Sequence, residues 1–210
     1  MQLDPGSTAE SCIIHGKKEA AGDDVSKLPA FDQKSESLIP VLKGELPLKA
    51  HAHQANDIFT AIRIAKEFHT KLTLEHVTEG HLIVEELVKE NLPLAVGPTF
   101  GHATKVELLN KSWTTPASCK SWLPCFHYFR CTCYPAAQPA PLCRHGHESR
   151  YGSLRCLRAI TINAAEHIGV ADRVGSLETG KDADLVICKG SPMEISGVVK
   201  YVFINGELVE

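Results

Sequence analysis

Between Phe31 and Pro98 the sequence alternates strand and helix, and that alternation constrains the fold more than any other feature. "SESLIPVLKG" reads as the end of a helix, and "LPLKAHAH" as a short strand entered through a proline. "ANDIFTAIRIAKEF" follows, with Ile58, Ile62, Ala65 and Phe68 on one stripe at helical spacing. A strand "KLTLEH", a helix "GHLIVEELVKEN" with Leu82, Leu87 and Val88 inward, and a strand "LPLAVG" complete the run. Strands joined in this way run parallel, because each helical crossover returns the chain to the same end of the sheet. The run is a series of βα units of the α/β class, not a domain with its own closed sheet.

The order is interrupted and then resumes in a different form. "LRAITINAAEHIG" reads as a helix with Gly169 as its C-cap, and "DADLVIC" and "VVKYVFINGELVE" read as strands. Asn205-Gly206 between alternating residues is a hairpin turn signal, so the chain closes with a small β-rich tail.

Composition narrows the partners. The chain has 210 residues, 43% of them hydrophobic, with a formal charge of -3. No basic patch is present to release counterions from nucleic acid or to bind an anionic membrane, so a small metabolite is the expected partner. The opening "MQLDPGSTAESC" lacks the basic and apolar regions of a signal peptide, and no apolar run reaches membrane-spanning length. A cytoplasmic, reducing location is expected, in which the eight cysteines are free thiols or metal ligands, not disulfides.

The strand period places Lys49, His51 and His53 of "LKAHAH" on one face, and His76 closes the next strand. Two consecutive βα units thus each end in an imidazole at the C-terminal rim, where reactive groups of parallel α/β folds gather. Neutral imidazole is the commonest ligand for zinc-type ions. A single strand-end histidine is more often a satisfied core or loop side chain, but matched positions in adjacent units favour the metal reading. Asp57 and Glu79 read as partners of helix N-terminal dipoles. Glu75 points to the face opposite His76 and reads as a structural partner. His81, at a helix start, is a possible substrate contact.

"PLKAHAHQANDIFTAIRIAKEF", "LTLEHVTEGHLI" and "LRAITINAAEHIGVADRVGSLETGKDADLVI" together resemble the amidohydrolase superfamily, near its imidazolonepropionase and prolidase-like branches. The resemblance covers about Phe31 to Ala117 and Leu157 to Glu210. It implies part of a (β/α)8 TIM-like barrel beside a small C-terminal β-sandwich portion. It further implies one or two divalent metals, most simply zinc, activating water against a C–N bond of an amide or cyclic amide. His51 and His76 would be metal ligands ending the fifth and sixth strands, with His53 and His81 as further metal or substrate contacts. A homo-oligomer is compatible with it.

Two family elements are missing from the expected positions. The His-x-His pair of the first strand would lie upstream of Met1, and no aspartate stands between Ala117 and Leu157 to close the eighth strand. No catalytic residue is therefore assigned, and the chain reads as a C-terminal fragment with negligible hydrolase activity.

Where that aspartate belongs, "SWLPCFHYFRCTCYPAAQPAPLCRHGHESRYG" has neither helix nor strand rhythm. One extra base near the Lys120 codon explains it, since compatible codons read in the neighbouring frame spell a strand ending Ser-Asp-Ala-Pro. By the same reasoning the first residues, about 1–16, form a second misread segment. The alternative is a non-catalytic zinc module built from Cys119, Cys125, Cys131, Cys133, Cys143, His145 and His147, but their irregular separations lack the paired knuckles of such sites. The expected organisation is a poorly defined segment 1–30, an incomplete barrel 31–168 with 121–152 out of frame, and a β-rich subdomain 169–210.

Overall fold

A computed structural model describes residues 5–97, 105–109, 125–127, 153–192 and 196–209. The expected eighth-strand interval lies outside them except for 125–127 and the start of the following helix, as do Cys119, Cys131, Cys133, Cys143, His145 and His147 of the zinc-module reading. The chain divides into two compact units, Met1–Ala50 with Phe59–Thr73 and His51–Ile58 with Leu74–Glu210.

The first unit opens with α1 (Pro5–Ala21), which packs on the short helices α2 (Gln33–Glu36) and α3 (Ile39–Leu42). Proline at the first helical position has its φ pre-set and gives up an amide that would lack a helical partner anyway. Gly22, at φ 53, ends the helix in the left-handed region. The Asp32 side chain caps α2 by accepting from the Ser35 amide at 2.8 Å. A Lys18–Glu36 ion pair joins α1 to α2. Sequence rhythm shows no element in 1–30, yet α1 is 17 residues long. Its buried positions include Thr8, Ser11 and Ala21. They fall at helical spacing but are small or polar, so they leave no hydrophobic stripe.

Strands β1 (Leu48–Ala52), β2 (Leu72–His76), β3 (Leu94–Val96) and β4 (Cys125–His127) stand in the order β1-β2-β3-β4. The β2–β3 and β3–β4 pairings are parallel, with Leu74 opposite Leu94 and Leu94 opposite Cys125. β1 buries Leu48, Ala50 and Ala52 and exposes Lys49 and His51, whereas β3 is buried at all three positions. Helix α4 (Ala55–Glu67) buries Ile58, Ala61, Ile62, Ile64 and Ala65. These are the parallel βα units the alternation predicts.

The helix expected over "GHLIVEELVKEN" is shorter than its pattern. Gly80–Leu82 forms a 3-10 turn, and α5 covers only Val84–Glu90, ending at Asn91 with φ 49. Leu87 is fully buried, but Leu82 and Val88 are 60% and 37% exposed, which corrects their inward placement. At about 3.6 residues per turn, positions 82, 87 and 88 are spread around a helix and do not share one stripe, so only Leu87 faces the core.

The helix expected over "LRAITINAAEHIG" is two, α6 (Ser153–Ile160) and α7 (Ile162–Ile168), broken at Thr161. The Thr161 hydroxyl donates back to the Leu157 carbonyl at 2.8 Å, a local bond that competes with regular helix. Both helices lie against β4, and Gly169 caps α7 at φ 75 as expected. Gly175 closes on α7 so tightly that a Cβ there would meet the Ala165 Cβ and the Ile162 Cα at 2.9 Å.

The tail is an antiparallel sheet of β5 (Leu185–Lys189), β6 (Val198–Ile204) and β7 (Glu207–Leu208). Asn205 and Gly206, at φ 51 and 82, make the hairpin turn between β6 and β7, both residues left-handed as a twist-matched two-residue loop requires. No helix among the described residues is long and apolar enough to cross a membrane.

Candidate functional site

The C-terminal ends of β1 and β2, both in the second unit, bring the expected histidines together. His51 Nδ1 lies 3.0 Å from His76 Nε2, and the rings are tilted by 59°. His53 stacks on His76, with centroids 4.5 Å apart and an interplanar angle of 22°. His53 Nδ1 is also 2.7 Å from the Thr78 hydroxyl. Burial, followed by the nearby His76, holds the His53 imidazole below its ordinary pKa. His81 is not brought to the pair by any described bond; its Nδ1 bonds the Thr78 carbonyl at 3.3 Å within the local turn.

Each of the two facing rings is anchored at its other nitrogen. His76 Nδ1 is 2.7 Å from the Gly97 carbonyl, and His51 Nε2 is 2.7 Å from Glu75 Oε2. A carbonyl and a carboxylate only accept, so His76 carries its proton on Nδ1 and His51 carries its proton on Nε2. When both rings are neutral, the two remaining nitrogens turn lone pairs toward one another, an arrangement that a shared cation stabilises. Ligand nitrogens about 2.0–2.1 Å from a tetrahedral metal centre stand roughly 3.3–3.4 Å apart. The His51–His76 separation of 3.0 Å is a few tenths of an ångström shorter, so a small opening of the pair would admit the ion. These residues fit a divalent metal as a ligand pair. Among the described residues no group of three or more His, Cys, Asp or Glu stands in metal-binding geometry.

Glu75 is the partner that sequence reading placed on the opposite face from His76. Strict alternation fails because His76 and Val77 have φ values of 73 and 49. For non-glycine residues this left-handed backbone costs about 1–3 kcal/mol each, and Val77 adds a β-branched side chain to the crowding. The twist ends the strand and lets Glu75 and His76 reach the same imidazole. Nothing in the residue spacing announces it.

Glu79, expected beside a helix N-terminus, caps one formed by a different segment. Its Oε2 accepts from the Ala55 amide at 2.9 Å, the first residue of α4, while Asp57 sits in the first turn of α4. Its own amide donates to the His53 carbonyl at 2.9 Å, and the Val77 amide donates to the Ala52 carbonyl at 3.0 Å.

Comparison with known proteins decides the family. The model of the Amidohydrolase family matches residues 144–209. An imidazolonepropionase from Thermoplasma volcanium is 42% identical over 69 residues, covering 29% of this chain and 17% of its own length. The crystal structure of an amidohydrolase from Thermotoga maritima MSB8 superposes with a TM-score of 0.90 at 33% identity, over 98% of this chain and 54% of that one. The chain belongs to the amidohydrolase superfamily. A prolidase complexed with N-methylphosphonate-L-proline shares the fold at a TM-score of 0.60 and 18% identity, over 86% of this chain and 49% of that one. This amidohydrolase-superfamily chain thus spans about half the length of the solved relatives it matches, and its parallel sheet is consistent with the barrel of the Thermotoga protein.

Proposed function

We propose that this chain carries the fifth- and sixth-strand portion of a hydrolase centre that acts on C–N bonds of small amides or cyclic amides. The observation that carries this reading is the pair of lone-pair nitrogens, His51 Nδ1 and His76 Nε2, 3.0 Å apart with both tautomers fixed from behind. His51 and His76 would hold a divalent metal, zinc being the simplest choice for imidazole donors. Such an ion, when bound, supplies Lewis acidity and lowers the pKa of water. Glu75 and the Gly97 carbonyl keep the ligand nitrogens deprotonated, and His53 covers one face of the His76 ring.

The proton acceptor of hydrolysis is not supplied by the expected segment, since no aspartate stands between Ala117 and Leu157. We read 121–152 as translated out of frame, so metal binding by this chain is expected to outlast its hydrolytic activity. Titration of the whole chain with Zn(II) by calorimetry tests the centre. Saturable binding that His51→Ala and His76→Ala each abolish supports it, and binding indifferent to both substitutions refutes it. Resequencing across the Lys120 codon tests the frame: one extra base is expected, and a confirmed frame removes that reading.

A further inference from the structure

We infer that Glu79 is the positioning residue of this centre: its bracket across the rim holds the left-handed His76-Val77 turn that aims His76 at His51. The inference rests on the metal-centre reading and extends it to a residue that touches neither imidazole of the pair by any described bond.

Three bonds build the bracket. The Val77 amide donates to the Ala52 carbonyl and the Glu79 amide to the His53 carbonyl, at 3.0 and 2.9 Å, extending the β1–β2 pairing past the ends of both strands. The Glu79 carboxylate then reaches on to the Ala55 amide at 2.9 Å. Gln54, which precedes α4, is not a residue type that caps helices well, so the carboxylate takes the place of a local N-cap. One side chain therefore ties the start of α4 to the segment that follows His76.

That segment stores strain. Two consecutive non-glycine residues, His76 and Val77, sit at φ 73 and 49, and a β-branched residue escapes the left-handed region wherever its surroundings allow. Relaxation of the His76-Val77 turn toward extended backbone, through the φ of His76 itself, turns the His76 Cβ and its ring away from His51 Nδ1, from the Gly97 carbonyl and from the stacked His53 ring. The bracket opposes this relaxation together with the His53–Thr78 side-chain bond at 2.7 Å, and the Glu79 carboxylate is the side chain that carries it on to the start of α4.

The test uses the whole chain, Co(II) as the probe ion, and nitrogen-resolved NMR of the imidazole rings without metal. Glu79→Ala is expected to weaken Co(II) binding about 10- to 100-fold, the range of groups that orient metal ligands. It is also expected to blur the fixed tautomers of His51 and His76. Glu79→Gln keeps an oxygen for the Ala55 amide and restores both readouts. Val77→Gly removes the drive to relax, so Val77→Gly in the Glu79→Ala background recovers most of the affinity, which a merely structural role for Glu79 would not produce. Should Glu79→Ala fail to fold, Glu79→Asp, one methylene too short for Ala55, is read in its place. Wild-type affinity and tautomers in Glu79→Ala overturn the inference, as does failure of Val77→Gly to rescue. If the wild-type chain binds no Co(II), the metal-centre reading fails, and the metal-free tautomers still decide the role of Glu79.

Discussion

The His53 ring lies nearly parallel to the His76 ring, 22° apart in plane with centroids separated by 4.5 Å. Stacked aromatic pairs contribute about 0.5–1.5 kcal/mol beyond the area they bury. His53→Phe preserves the stacked face and is expected to leave Zn(II) affinity within about threefold. His53→Ala removes that face and is expected to weaken binding about 3- to 10-fold, in line with the stacking energy. Calorimetric titration of both variants checks this, and equal losses in the two would show that the ring face plays no part.

Glu75, itself mostly shielded from water, fixes the tautomer of the half-exposed His51. The side chain of His51 is 53% exposed, against 12% for Glu75, so water replaces a lost carboxylate partner in part. Glu75→Ala is expected to reduce Zn(II) affinity by about 10-fold, the lower end for a group that orients a ligand. Competition against a chromophoric chelator measures it, and an unchanged constant contradicts the assignment.

Gly175 and Gly180 share a φ of 94 but not their surroundings. A Cβ at 175 meets Ala165 and Ile162 at 2.9 Å, whereas one at 180 meets nothing within 4 Å. Gly180→Ala is expected to cost about 1 kcal/mol from backbone strain alone, and Gly175→Ala about 2–4 kcal/mol once overpacking against α7 is added. Urea denaturation of the pair separates the two contributions, and equal midpoints would show that α7 yields freely.

The Ser35 hydroxyl and amide hold the Asp32 carboxyl below its ordinary pKa. With the folded value depressed, the cap contributes in full above the unfolded value of about 3.9 and is lost as pH falls through the folded value. Asp32→Asn keeps an oxygen for the Ser35 amide but does not titrate. Its thermal midpoint is expected to fall less steeply than wild type below about pH 4, and parallel curves would remove Asp32 from the acid response.

Leu87 is fully buried and Leu82 is 60% exposed, although both are apolar residues of the same segment. Leu87→Ala is expected to cost about 2–4 kcal/mol and Leu82→Ala less than about 0.5 kcal/mol. Denaturant midpoints for the two variants read the difference directly.

The fold is legible wherever burial follows periodicity. Ile58, Ile62 and Ala65 mark α4, and the alternation in β1 separates buried Ala50 from exposed His51. Asn205-Gly206 names its own turn. Helix α1 is not legible, because Thr8 and Ser11 are buried there without being apolar. The imidazole pair is legible from its matched strand ends. The approach of Glu75 is not, since it follows from the φ of His76, which no residue type in "LEHVTEG" signals. Glu79 escapes in the same way, because its partner amide lies 24 residues away.

The two anchors behind the imidazole pair are unequal in what heredity can do to them. The one behind His51 is the Glu75 side chain, and a single codon change deletes it. The one behind His76 is the Gly97 main-chain oxygen, present whatever residue stands there, so only displacement of the chain removes it. Drift can therefore erode the centre through His51 while leaving His76 oriented, and lineages that have lost the chemistry should show that order of decay.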